Sequence, residues 1–250
     1  MKILFLGLGS IGQRHVRNIR NLMGDSAEII CYRERKDKHT IIENHSTKPI
    51  DPSMSYNIKE YSSLKEAYNQ NPNIVFITNP TSKHMKSALH GVKNNCHIFI
   101  EKPLSDTLEN VEALISTVEE KKLIAMLGYQ MRFHPAFKLL ISLINENKLG
   151  NLMSASFCFG EYLPNAHPYE DYQRTYSAKK EQGGGVVFSY CHEIDMIYKL
   201  FGIPSKILAY GSQKSNLNVD VLDNANVLIY YEKYKLPINV QLDYVSSPPR

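Results

Sequence analysis

In the first half of the chain, short apolar runs alternate with stretches of helical pattern. "KILFLG" leads into "SIGQRHVRNIRNL"; "AEIICY" follows; "SLKEAYNQ" precedes "NIVFIT", "SKHMKSALHGVKN" precedes "CHIFIE", and "TLENVEALISTVEEKK" precedes "LIAMLGY". Beyond Leu108, the apolar positions Val111, Leu114, Ile115 and Val118 recur at helical spacing, so one face packs and the charged residues lie opposite. The short runs are nearly all apolar, which predicts strands buried on both faces. Together they predict an α/β fold, a doubly wound parallel sheet of the Rossmann type with helices on each side.

The pattern changes after about residue 123. A helix is predicted from Pro135 to Glu146, then alternating runs in "LMSASFCFG", "KILAYGS", "DNANVLIYYE" and "LPINVQLDYV". Long strands with a polar face predict a C-terminal α/β domain whose open sheet is mostly antiparallel, one side on a helix and the other available for a partner. The expected division is residues 1–122 and 123–250. The sequence stops at "QLDYVSSPPR", directly after a strand, so a short variant and a truncated domain both stay open. A lost strand would expose a sheet edge.

Composition narrows the function classes. Of 250 residues, 43% are apolar, enough for a proper core. Cys31, Cys96, Cys158 and Cys191 are scattered, without a C-x-x-C pair or a Cys/His cluster, so neither a disulfide framework nor a metal site is expected. A reducing, cytoplasmic setting fits. The opening "MKILFLGLGSIGQRH" imitates a signal peptide, but glycines interrupt it and Arg14 and His15 follow. No apolar run approaches the roughly 18 residues of a membrane span. A net charge of +4 without a long basic block suggests no nucleic acid. The densest basic run, "RERKDK" at 33–38, has the bland reading of a solvated loop.

"GLGSIG", residues 7–12, follows the first strand and opens the first helix. Gly7 permits the tight turn, Gly9 lets the backbone approach a pyrophosphate, and Gly12 lets helix and strand pack. Ser10 and Ile11 then start the helix whose N-terminus faces the phosphates. Its place at the head of a βαβ pattern points to a dinucleotide, with a methyltransferase or a plain turn as alternatives. The second strand ends in "CYRERKD", where NAD binders usually carry an acidic residue. Arg33 suits a 2′-phosphate, so NADP is expected; in the alternative, Glu34 takes the ribose and the cofactor is NAD. In "TNPTSKH", Asn79, Pro80 and His84 are candidates for the same crevice, although Thr81 or Ser82 could simply cap a helix. "EKP" ends the next strand. Glu101 and Lys102 are therefore delivered to the same edge, where a lysine can hold a substrate oxygen; a surface ion pair is the alternative.

"GLGSIG", "TNPTSKH", "EKP", "GYQMRFHP" and "GGG" followed by "HEID", in this order, resemble the glucose-fructose oxidoreductase/inositol dehydrogenase/MocA family over essentially the whole chain. The resemblance implies a Rossmann domain, a substrate domain with an open sheet that often mediates oligomerisation, and hydride transfer between NAD(P) and a hydroxyl carbon of a sugar or sugar derivative. It further implies that Lys102 is the catalytic lysine, that the Lys102–Pro103 bond is cis, that His192 is the acid/base, and that Asp195 is its neighbour one helical turn on. Many members carry an aspartate four residues before the histidine. This chain has Ser189, three residues before it, as in a "SHEID"-like subgroup of sugar-modifying clusters; Glu193 is an alternative acid. Surface-polysaccharide or nonulosonate sugars follow by analogy.

The segment 160–185 is crowded with planar polar and aromatic groups that suit a polyhydroxylated ligand. Tyr162, His167, Arg174 and Tyr176 are the candidates there, with His192. Arg132 either serves an acidic group of the substrate or braces a hinge. A homodimer or homotetramer through the C-terminal sheet is expected. The rival reading is a nucleotide-binding sensor or inactive family member: Ser189 and the early stop favour it, while intact "EKP" and His192 oppose it.

Overall fold

The apolar runs of the first half assemble as one parallel sheet. The computed structural model describes residues 1–34, 39–42 and 46–250, in two units, Met1–Gly128 and Tyr129–Arg250. The first unit runs β1 (Lys2–Leu6), α1 (Ser10–Met23), β2 (Glu28–Tyr32), β3 (Thr40–Ile41), β4 (Thr47–Lys48), α2 (Pro52–Ser55), β5 (Lys59–Glu60), α3 (Leu64–Tyr68), β6 (Ile74–Ile77), α4 (His84–Lys93), β7 (His97–Ile100), α5 (Val111–Glu120) and β8 (Ala125–Leu127). Its six-stranded sheet has the order β5-β2-β1-β6-β7-β8, and every pairing is parallel. β3 and β4 form a separate antiparallel ribbon. Burial on both faces is nearly total in β1, where Leu4 and Phe5 are inaccessible, while in β6 Val75 and Ile77 are inaccessible and Phe76 on the other face is half-buried. Each such side chain contributes about 1.5–3 kcal/mol of apolar burial. Phe5, Phe76 and Phe99 are cross-strand partners at one level of the sheet, stacked 4.9 and 4.8 Å apart.

β8 pairs with β7, so the first unit extends to Gly128, six residues beyond the boundary at 122 expected from the sequence. β8 is an edge strand, with Ala125 and Met126 exposed, so its apolar pattern marks the end of the sheet less clearly than that of the inner strands.

Arg33, just past β2, is a brace inside the first unit. Its Nη2 donates to both Asp51 oxygens at 2.6 Å and to Glu60 Oε2 at 2.8 Å, and its side chain is only 3% exposed. Burial alone would pull the guanidinium pKa down; Glu60 and then Asp51 reverse this and raise it. Asp51 also caps α2 by accepting from Ser53 N. One side chain thus joins the ends of β2, α2 and β5. Arg33→Met leaves two carboxylates without their partner and should cost about 3–5 kcal/mol, read as a fall in chemical-denaturation midpoint.

The second unit runs α6 (Pro135–Asn145), β9 (Ala155–Gly160), α7 (Leu163–Ala166), α8 (Val186–Ser189), α9 (His192–Phe201), β10 (Lys206–Ser212), β11 (Asn224–Tyr231) and β12 (Leu236–Asp243). α6 starts at the predicted Pro135, capped by His134 Nδ1, which accepts from Ala136 N. The sheet order is β10-β11-β12-β9, antiparallel except for the parallel pair β12–β9. One face carries Ala225, Ile229, Ile238 and Val240, all buried, over which Val186 and Ile197 pack. The opposite face leaves Leu208, Tyr210 and Leu228 exposed.

The glycine run is demanded by the fold. Gly183, Gly184 and Gly185 donate to Lys180 O, Lys179 O and Ser177 O, folding the chain back on itself before α8. A Cβ on Gly184 would lie 2.2 Å from Tyr176 O. Asp223 holds the connection between β10 and β11. It is 1% exposed and accepts from Lys214 N, Ser215 N, Ser215 Oγ and Asn224 Nδ2. Burial pushes its carboxyl up, but these hydrogen bonds, led by Ser215, hold it below the ordinary range. A depressed carboxyl contributes stability that is fully present above its unfolded pKa of about 3.9 and is lost as pH falls through the folded value. Asp223→Asn should cost about 2 kcal/mol at pH 7. That difference should shrink on acidification below about pH 4, as followed by denaturation midpoints.

Candidate active site

The glycine loop is built around Thr78, the residue after β6. Gly7 has φ +104°, and a Cβ there would sit 3.0 Å from Thr78 O. A Cβ on Gly12 would meet Gly7 O at 2.8 Å and Thr78 Oγ1 at 2.9 Å, while Thr78 Oγ1 donates to Gly7 O. These two glycines are required by the protein's own packing. Gly9 is different. Its φ is −67° and a Cβ would meet nothing within 4 Å, so the space over it is open to a ligand. The N-terminus of α1, with Ser10 and Ile11 in its first turn, has no side-chain cap and no acidic residue. Unsatisfied N–H groups and the helix dipole suit a pyrophosphate there. Gln13, which sequence reasoning missed, secures the loop: it is buried, donates to Leu8 O, and accepts from Ile41 N.

At the end of β6, Asn79 Nδ2 donates to Ser87 Oγ, and its buried Oδ1 has no hydrogen-bond partner among the described residues. That oxygen is an acceptor a ligand could use. Pro80 precedes a short 3-10 turn, Thr81–Lys83. His84 is 2% exposed and serves as a tie: Nδ1 meets Pro103 O and Nε2 meets Asn79 O, both at 2.8 Å. Burial, working against these two contacts, lowers its pKa. Lys102 follows the end of β7, and the Lys102–Pro103 bond is cis.

Two expected cofactor contacts are engaged inside the protein. Glu101 is 7% exposed; Oε1 meets His15 Nε2 at 2.6 Å and Oε2 accepts from Lys102 N at 3.0 Å. Arg33, expected at a 2′-phosphate, is instead held by Asp51 and Glu60, because a guanidinium this buried requires carboxylates of its own. Beside it Glu34 is exposed and forms an ion pair with Lys83. The rest of the basic run, 35–38, lies outside the described residues.

In the second unit, His192 opens α9. Its Nε2 lies 3.1 Å from Gln130 Nε2, and its ring stands edge-on to Tyr129, 6.0 Å between centroids. Asp195 is brought to Arg132 rather than to His192: Nη2 to Oδ1 is 2.5 Å and Nε to Oδ2 is 2.9 Å. Asp195 raises the Arg132 pKa, and the guanidinium also lies over the Tyr129 ring at 5.6 Å. Arg132 Nη1 makes no hydrogen bond among the described residues, and the side chain is 37% exposed. Glu193 is buried. Ser189, three residues before His192 where many members carry an aspartate four before it, is built into the core: its Oγ lies 2.6 Å from Tyr244 OH, and burial raises the Tyr244 pKa well above 10.

The four candidates of segment 160–185 take separate roles. Tyr162 is partly exposed at the start of α7, and Arg174 is exposed in a short 3-10 turn. His167 Nδ1 pairs with Tyr169 OH, and Tyr176 is half-buried beside the glycine run. Gln130 and Tyr129 were missed as candidates, although both stand in the quoted "GYQMRFHP". Among the described residues no group of His, Cys, Asp and Glu could hold a metal ion.

Residues 1–129 match the family model described as "Oxidoreductase family, NAD-binding Rossmann fold", and residues 137–247 match the "GFO/IDH/MocA C-terminal domain". Among curated relatives, 2,7-anhydro-N-acetylneuraminate hydratase of Escherichia coli (strain K12) is 27% identical over 55% of this chain and 36% of its own length. Glucose-6-phosphate 3-dehydrogenase of Bacillus subtilis (strain 168) is 23% identical over 99% of this chain and 69% of its own. Among solved structures, the WlbA dehydrogenase of Bordetella pertussis, in complex with NADH and UDP-GlcNAcA, superposes with a TM-score of 0.81 at 18% identity, covering 99% of this chain and 73% of that one. Across these three, the match spans 36% to 73% of the other protein's length. With both family models matched in order on a Rossmann sheet and a mixed second sheet, the chain belongs to the GFO/IDH/MocA oxidoreductase family.

Proposed function

We propose that this chain transfers a hydride between a nicotinamide dinucleotide and a hydroxyl carbon of a sugar-like substrate. The observation that carries the reading is the open space over Gly9 at an uncapped helix N-terminus, on the same sheet edge that presents Lys102. Relatives that are sugar and inositol dehydrogenases support it, as does a structural neighbour holding NADH and a nucleotide sugar. The dinucleotide supplies or accepts the hydride. Gly7, Gly9, Ser10, Ile11 and Gly12 bind its pyrophosphate, and Asn79 and Pro80 flank it. Lys102 polarises the reacting oxygen as alkoxide character grows, and His192 exchanges its proton. Asp195 acts through Arg132 as a positioning residue, since its carboxylate is engaged there.

On the choice of cofactor, the engagement of Arg33 removes the support for NADP and moves the reading toward NAD, with Glu34 accepting from the ribose. On the substrate, Arg132 offers a guanidinium edge oriented by Asp195 and Tyr129, which suits an anionic substituent such as a carboxylate. Tyr162, His167, Arg174 and Tyr176 remain candidates for the sugar hydroxyls. The exposed face with Leu208, Tyr210 and Leu228 supports association of copies through the second sheet. None of the four cysteines forms a disulfide, which fits a cytoplasmic protein, and among the described residues no helix is long and apolar enough to cross a membrane.

Fluorescence titration should show NADH bound more tightly than NADPH, with the ratio unchanged in Arg33→Met. Failure to bind either dinucleotide would sink the reading. In a screen of sugars and their uronic acids, Lys102→Ala should lower kcat by about 100-fold or more while NADH still binds. Arg132→Gln should raise KM about tenfold for acidic substrates and little for neutral ones; equal effects on both would remove the anionic group from the proposal.

A further inference from the structure

His15 lies on α1, three residues past Gly12, and its ring enters the sheet face carrying the aromatic row. Its centroid is 4.9 Å from Phe99 and 5.7 Å from Phe76. Glu101 stands two positions after Phe99, so strand alternation turns it to the same face. There Oε1 meets His15 Nε2 at 2.6 Å, while Oε2 accepts from the backbone N–H of Lys102. The carboxylate has little freedom. Glu101 N is bonded to Ile77 O, and Gly128 leaves room for it: a Cβ there would lie 3.1 Å from the carboxyl carbon and both oxygens. On the other side of Lys102, Pro103 O is held by His84.

From this geometry we infer that His15 is a positioning residue for Lys102, acting through the Glu101 carboxylate. The inference rests on the reading of Lys102 as the group that meets the reacting oxygen. A buried carboxylate without a donor would turn toward water or draw a cation, and Lys102 is the adjacent cation in the chain. With His15 donating to one oxygen, the other stays on the backbone of Lys102 rather than on a side chain. The turn that carries Lys102 is thereby fixed by its own backbone.

The test needs no substrate. Purified protein is treated with pyridoxal 5′-phosphate and borohydride, and labelling of Lys102 is measured by peptide mass spectrometry against exposed Lys65. His15→Phe keeps an aromatic ring against Phe76 and Phe99 but removes the N–H. It should change the relative labelling rate of Lys102 about tenfold, whereas His15→Gln, which retains a donor, should stay within about threefold of wild type. On a Glu101→Leu background, His15→Phe should add nothing further, because the route is already cut. Should His15→Phe not fold, Glu101→Gln, which preserves shape, carries the same comparison. The inference is overturned if these variants lower thermal stability while Lys102 labelling stays at the wild-type rate, or if the His15 and Glu101 effects simply add. Turnover by Lys102→Ala judges the catalytic reading separately, so either can fail alone.

Discussion

Everything the first unit offers a ligand depends on one close approach, that of the Gly7–Gly12 turn to Thr78. β1 and β6 are neighbours in the sheet, and at their carboxyl ends Thr78 fills the space that side chains on Gly7 and Gly12 would take. The contact fixes where α1 begins and which way its N-terminus points. It also places the end of β6 beside the loop, so Asn79 comes to the same edge. Gly9 stands apart because no packing accounts for it. Two glycines that the protein's packing needs and one that it does not are what a dinucleotide loop, rather than a plain tight turn, would require.

A second constraint, within each unit, is that several buried charges are compensated. Arg33 has Asp51 and Glu60, Glu101 has His15, and in the second unit Asp195 has Arg132 and Asp243 has Arg250. Charges taken from water demand partners with good geometry. A charged residue beside a site therefore divides into those that can meet a ligand and those already engaged. The motif at the end of β2 does not reveal this division. Arg33 and Glu34 are neighbours in sequence, yet one is a brace and the other is exposed, because the carboxylates that capture Arg33 come from 18 and 27 residues away. Asp51 stands at a helix cap and Glu60 on a two-residue strand, neither of which the apolar pattern marks.

The fold itself was largely written in the pattern: nearly continuous apolar runs became the parallel sheet, and alternating ones became the mostly antiparallel sheet, with α6 beginning at the predicted proline. The run "LIAMLGY" did become β8, but the division drawn at 122 falls before it, whereas β8 pairs with β7 and belongs to the first unit. The histidines illustrate a subtler limit. His15 and His84 resemble ligand-facing residues by position in their motifs, but both are turned inward by partners remote in sequence. His192, by contrast, remains partly accessible beside Gln130 and Tyr129.

The second unit shows how a departure from the family pattern can be absorbed. A carboxylate at position 189 would sit against Tyr244, whose hydroxyl is already engaged with Ser177 O, inside an apolar core. A serine satisfies that hydroxyl without introducing a charge, so Ser189 is consistent with the packing around it. The packing at this position is thus complete without a carboxylate. Beside His192, Gln130 is neutral and Asp195 is engaged with Arg132, and on the route proposed for this family member a substrate oxygen exchanges its proton with the imidazole. On that route the histidine's proton exchange depends on where the ligand's oxygen lies, and the role proposed for Arg132 is to hold the ligand while it does so.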